Sequence, residues 1–171
     1  MSSPFPQKGR LYHRAPSWVP DGEIHHVRVR CDREQRVSLI DPKLSGKLME
    51  SVKYYHFEAR WHCLLFLLMP DHWHALLAFP ASPGMSTTVR EWKSFHARMY
   101  GLLWQDGYFD HRIRNHQQLA LKGDYIRRNP VAKGLCAKAM DWLWVLTFED
   151  LQNSPPKVGG HVPCPPAKTG E

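Results

Sequence analysis

Cysteine is scarce in this 171-residue chain and carries no pattern: Cys31, Cys63, Cys136 and Cys164 form no Cys-x-x-Cys pair. That spacing argues against both a disulfide framework and a thiolate zinc site. Cys31 and Cys63 stand in apolar, strand-like runs and read as small core residues, and a reducing, cytoplasmic setting suits them. Long apolar runs are missing too. The longest, Cys63 to Pro70, falls far short of the roughly 20 residues that cross a bilayer, so no membrane partner is expected. The N-terminal residues show no apolar core of the secretory kind. There is no glycine-rich phosphate loop, since Gly84-Met85-Ser86-Thr87-Thr88 departs from the Walker pattern, and no internal repeat. Acid is in short supply: 16 Asp and Glu face 23 Lys and Arg, for a net charge of +7. A basic balance points to polyanions, nucleic acid before acidic lipid.

What is present suffices for one domain. Hydrophobic residues make up 43% of the chain, enough for a real core. Four prolines fall within residues 1–22, read here as an irregular arm. Residues 151–171, with Pro155-Pro156, Gly159-Gly160 and Pro165-Pro166, read as a flexible tail. The folded unit is expected over 23–150. Within it, Ile24 to Cys31 alternates as a strand does. Asp41-Pro42 opens a helix whose apolar face carries Leu44, Leu48, Val52 and Tyr55. Trp61 to Met69 suits a buried central strand, Pro70-Asp71 a tight hairpin turn, and His72 to Phe79 a second strand. After a loop over Pro80 to Gly84, a helix is expected from Ser86 to Leu103, with Val89, Trp92, Phe95, His96 and Met99 on one face. A turn and short strand follow over Gly107 to Arg114. The next helix runs from Gln117 to Asn129, because the residue before Pro130 avoids the α region. Trp142 to Phe148 closes the domain. This order predicts an α+β fold, an antiparallel sheet with helices packed on it.

The chemistry-bearing string is Asp71-His72-Trp73-His74. Residues i and i+2 of a strand share a face, so His72 and His74 project side by side, roughly 6–7 Å apart at the backbone. Such a pair can share one divalent ion, although His-x-His also recurs by chance among 11 histidines. Asp71 is expected to point away from both. A hard ion also wants oxygen donors. Asn129 can supply a carboxamide oxygen, and it follows Tyr125 by four residues, on one helix face. The spacing alone equally allows a core tyrosine and a helix-ending asparagine. Arginines stand beside apolar residues at Arg28, Arg30, Arg112, Arg114, Arg127 and Arg128, and guanidinium matches phosphate in bidentate fashion. One of Arg127 and Arg128 is expected on DNA phosphates and the other in solvent. Arg112 and Arg114 either grip DNA or form an exposed charged strand. Trp104, Tyr108 and Phe109 offer faces for base stacking, with core packing expected for at least two of them. His96 reads as a core histidine, and His111 as structural or surface.

Met69-Pro70-Asp71-His72-Trp73-His74 resembles the histidine-hydrophobic-histidine signature of HUH endonucleases. The string from Tyr125 to Leu135, with Asn129-Pro130-Val131, is similar to the tyrosine helix of REP-associated tyrosine transposases. Trp104 to Arg114 resembles the segment between these motifs in that family, and the order agrees from about Ile24 to Phe148. The resemblance implies a ferredoxin-like or RRM-like core, metal ligation by His72, His74 and Asn129, and nucleophilic attack by Tyr125. It implies a divalent ion, Mg²⁺ or Mn²⁺, and a single-stranded or hairpin DNA substrate, in a monomer or homodimer. An unperturbed phenol, with a pKa of about 10, is ionised to about one part in a thousand at neutral pH, so the ion must compensate. The reaction implied is strand cleavage through a 5′-phosphotyrosine, followed by transfer. Two other readings share parts of the pattern: a non-catalytic nucleic-acid-binding module of the same fold, and a metal-dependent hydrolase using water.

Overall fold

A computed structural model of the chain describes residues 16, 17, 19 and 22–157. The expectations for Cys164 and for most of the N-terminal arm and the C-terminal tail lie outside these residues. Among the described residues five strands and four α-helices follow in the order β1 (Ile24–Arg30), α1 (Pro42–Phe57), β2 (His62–Leu68), β3 (His72–Ala78), α2 (Met85–Tyr100), β4 (Phe109–Ile113), α3 (His116–Ala132), β5 (Val145–Thr147) and α4 (Phe148–Asn153). The strands form one sheet in the order β4-β1-β3-β2-β5, and every neighbouring pair is antiparallel. The predicted α+β layering is therefore the observed one.

Local chemistry explains the elements. Asp41 caps α1 by accepting from the Lys43 amide, and Pro42 takes the first helical position, where no amide is needed. Pro70-Asp71 makes the β2–β3 turn, closed by Met69 N–H donating to the His72 carbonyl at 2.8 Å. Both central strands are buried along their whole length because helices cover both faces of the sheet. On one face Val27, Val29, Phe66, Trp73, Ala75 and Leu77 pack with Leu48, Val52 and Tyr55 of α1 and Val89 and Trp92 of α2. On the other, Ile24, Leu65, Leu67, Leu76 and Ile113 pack with Leu119 and Ile126 of α3. A register shift in β2 between Cys63 and Leu65 puts Leu64 and Leu65 together against the α3 side. Packing continues on both sides of 23–150: Val19 and Leu151 are buried, and α4 runs to Asn153 behind a capping box of Thr147 and Asp150.

Three helix expectations are corrected. First, α2 ends at Tyr100 instead of Leu103. Gly101, at φ +66°, adopts the left-handed cap and donates to the Ala97 carbonyl. Second, Met99 is 42% exposed. The packed row of α2 runs Thr88, Trp92, His96, Tyr100, and it is Tyr100 that meets the core at the last turn. Third, α3 passes through Pro130 to Ala132. Proline there removes one amide from the final turn, where the helix has few bonds left to lose. The end is then closed by Gly134 at φ +71°, with Leu135 N–H on the Pro130 carbonyl and Gly134 N–H on the Val131 carbonyl, a Schellman arrangement.

Candidate active site

The α3 face of the sheet carries the site. Pairing places His26 opposite Leu76, Arg28 opposite His74 and Arg30 opposite His72, so these side chains share one face. Trp73 and Ala75 point the other way, into the α1–α2 core. Asn115 caps α3 by accepting from the Gln118 amide, and buried Ile126 anchors the helix on the sheet. Tyr125 and Asn129, one turn apart, then both overlook the histidines. The Asn129 Nδ2 lies 3.3 Å from His74 Nε2. The Tyr125 ring sits 6.1 Å from the His74 ring and 6.4 Å from that of His26, centroid to centroid. Tyr125 is 53% exposed, whereas His72, His74 and Asn129 are buried.

His72 Nε2 and His74 Nε2 face each other at 3.1 Å. Two nitrogens on neighbouring corners of an octahedral ion, with bonds of about 2.1 Å, stand about 3 Å apart. Burial, the largest influence, drives the His74 pKa down to about 2, with His72, His26, Arg28 and Arg30 adding to it. Burial also lowers His72 despite the opposing pull of Asp71. Both rings are therefore neutral at pH 7 and able to donate lone pairs. The Oδ1 of Asn129 is buried with no hydrogen-bond partner among the described residues, an orphan acceptor beside the two imidazoles. Rotating the carboxamide exchanges Nδ2 for this oxygen. Among the described residues no cluster of three His, Cys, Asp or Glu could hold a metal ion; the oxygen donor that stands beside the two imidazoles is the Asn129 carboxamide. The donor set of two nitrogens and one oxygen fits a divalent ion that keeps open positions.

Asp71 does not point away, as strand alternation predicts. It stands in the turn, outside the strand, and its Oδ1 meets His72 Nδ1 at 2.6 Å. Burial tends to raise the Asp71 pKa, but the bond to His72 and nearby Arg30 leave it lowered. The carboxylate thus fixes His72 with Nδ1–H toward Asp71 and Nε2 toward His74. It also lies across the ring from the facing nitrogens, away from where a base activating water would have to sit.

The arginines divide. Arg127 is half-buried and Arg128 exposed, both on the helical turn between Tyr125 and Asn129. Arg112 alternates with Ile113, so it projects from the sheet face opposite the histidines, and it pairs with Glu23 at 3.0 Å. Arg114 follows the end of β4, its amide donating to Gln118. Trp104 and Tyr108 pack against the core, as expected for two of the three aromatics, while Phe109 stays 43% exposed with the Arg28 guanidinium 5.1 Å over its ring. His96 is fully buried, its ring bonded to the Trp92 carbonyl.

Sequence reasoning missed two residues. His26 Nε2 lies 2.9 Å from His74 Nδ1, and burial, then Lys122, Arg28 and His111, push its pKa down to about 4. Lys122, three residues before Tyr125, holds its ammonium 5.2 Å over the phenol ring. Beside them a pocket of about 310 Å³ is lined by His111, Ile113, Gln118, Leu121, Lys122 and Tyr125. The signal for His26 was in the sequence: it alternates with Arg28 and Arg30, and only their charge was read.

The family model described as "Transposase IS200 like" matches residues 19–129. The REP-associated tyrosine transposase of Escherichia coli (strain K12) is 31% identical over 136 residues, covering 78% of this chain and 77% of that protein. A solved structure of a REP-associated tyrosine transposase bound to a REP hairpin superposes with a TM-score of 0.66 at 23% identity, over 87% of this chain and 92% of the other, and so supports the fold. With most of its folded region covered by the family model and a curated relative matched across three quarters of both chains, this protein belongs to the IS200-like transposase family.

Proposed function

We propose that this chain is a metal-dependent, single-stranded DNA endonuclease and transposase that works through a tyrosine-linked intermediate on hairpin-forming DNA. The observation that carries the reading is the convergence of exposed Tyr125, buried Asn129 and the facing His72–His74 pair on one spot. The choice of DNA follows the similar solved structure, which holds a REP hairpin. His72, His74 and Asn129 would hold Mg²⁺ or Mn²⁺. Such an ion, when bound, polarises the scissile phosphate and stabilises charge on its oxygens.

The chain's own groups do the rest. The Tyr125 hydroxyl attacks phosphorus in line. A bond forms between Oη and phosphorus, the bond to O3′ breaks, and the phenolic proton ends on the released 3′-hydroxyl. The 5′-phosphate stays on Tyr125, and attack by another 3′-hydroxyl reverses the step and joins strands. Arg127 or Arg128 steadies the flanking backbone phosphates.

The test is incubation with end-labelled single-stranded hairpin DNA and Mn²⁺, followed by denaturing electrophoresis. An SDS-stable protein–DNA band in the wild type, absent in Tyr125→Phe, is the expected result. Cleavage without the band would mean that water is the nucleophile. Binding with neither would leave a nucleic-acid-binding module.

A further inference from the structure

We propose that His26 is a positioning residue for the ion site, controlling which nitrogen of His74 is free to bind; this rests on His72, His74 and Asn129 being the ligands. The rings of His26 and His74 lie nearly parallel, with centroids 5.2 Å apart and planes inclined by 20°, and both are almost wholly buried. Nε2 of His26 and Nδ1 of His74 lie 2.9 Å apart. A neutral imidazole has one N–H and one lone pair. The two nitrogens must therefore share a single hydrogen, and the ring that carries it sets the state of both far nitrogens.

Two arrangements are open to the chain of contacts from His26 through His74 and His72 to Asp71. In the first, His26 donates to His74 Nδ1, His74 Nε2–H donates to His72 Nε2, and His72 Nδ1–H donates to Asp71. Every contact in this chain is then a hydrogen bond, with the Asn129 carboxamide turned so that Oδ1 meets His74 Nε2–H, but His74 has no lone pair for an ion. In the second, His74 Nδ1–H donates to His26. Nε2 of His74 and Nε2 of His72 then stand as two lone pairs 3.1 Å apart, a repulsion that a cation relieves. Passing from the first to the second conserves hydrogens. One leaves His74 Nε2 for solvent, the shared one moves from His26 to His74, and His26 Nδ1 takes one up. Asp71 accepts throughout, so His72 keeps one state. His26 alone changes from donor to acceptor. Its Nδ1, buried and without a partner among the described residues, is able to hold either a lone pair or a hydrogen.

The test uses the full chain, titrated with Mn²⁺ by calorimetry as wild type, His26→Phe, His26→Gln and His74→Ala. Phenylalanine keeps the ring's bulk and loses both hydrogen-bonding roles; glutamine keeps a donor and an acceptor. Outer partners of ligating histidines are worth about 10–100-fold in affinity, so H26F should weaken Mn²⁺ binding by about that factor and H26Q should stay within about threefold of wild type. Nitrogen-15 NMR of the wild type, with diamagnetic Mg²⁺, should show the His74 hydrogen moving from Nε2 to Nδ1 on binding, which stands even if H26F does not fold. Equal affinity in wild type and H26F, alongside a loss in H74A, overturns the role of His26 alone. So does an unchanged His74 ring state with and without Mg²⁺. Failure of the wild type to bind Mn²⁺ overturns the ligand assignment beneath it as well.

Discussion

Tyr125 combines exposure with a fixed address: its phenol is half open to solvent while the next residue, Ile126, is buried against the sheet. Removing the hydroxyl should therefore cost little stability, within about 0.5 kcal/mol, while abolishing adduct formation. Paired thermal unfolding and cleavage assays on Tyr125→Phe separate the two. The buried histidines make the opposite kind of prediction. Burial holds His26, His62 and His96 near a pKa of about 4, against an ordinary value of 6.5. Between those values the unfolded chain binds protons that the folded one refuses. Their contribution to stability is thus complete above pH 6.5 and is lost as pH falls toward 4, at up to about 1.4 kcal/mol per pH unit for each ring. Melting temperature measured from pH 7 down should fall across that window; a flat profile would contradict it. The positions of His72, His74, Tyr125 and Asn129 were legible because local periodicity sets their faces. The face of His26 was legible in the same way, but its partner was not, because His74 is 48 positions away and strand pairing is not written locally. Asp71 departs from strand alternation because it stands in the turn, before β3 begins.

Helix α3 is the element on which the site depends, since it alone supplies Tyr125 and Asn129. Its start is set by Asn115, whose side chain satisfies the Gln118 amide at 2.8 Å. Asn115→Ala should cost about 1 kcal/mol, read as a lowered denaturation midpoint with an unchanged slope. Its end lies beyond the expected Asn129 because Pro130 is carried inside the last turn without breaking the helix. The observed helix loses one bond there and recovers its final carbonyls through Leu135 and Gly134. The hairpin of β2 and β3 shows the reverse case, in which an apolar run, Pro70-Asp71 and the alternating histidines were enough to place both strands and the turn between them. Trp73, between the two histidines, faces the other core and is completely buried. Trp73→Ala should cost about 3–5 kcal/mol, a structural loss to be kept distinct from loss of the neighbouring ligands.

Charge and connectivity act across the molecule. A net charge of +7, with Arg28, Arg30, Arg127 and Arg128 on the strands and helix that hold the site, favours backbone phosphates. Contact with about four phosphates of a single strand should weaken binding about 50-fold between about 50 and about 200 mM salt. The sheet order β4-β1-β3-β2-β5 brings three separate stretches of chain, around His26, His72–His74 and Tyr125–Asn129, to one face. Periodicity and turn residues predicted the layers but not that order, because strand neighbours are chosen by burial of distant segments. The proposal that this face forms a covalent bond to DNA is tested most directly by mass spectrometry of the protein after reaction with hairpin DNA and Mn²⁺, nuclease trimming and proteolysis. The peptide containing Tyr125 should carry the mass of a 5′-nucleotide on the tyrosine; the modification on any other residue, or cleaved DNA with no modified peptide, would contradict it.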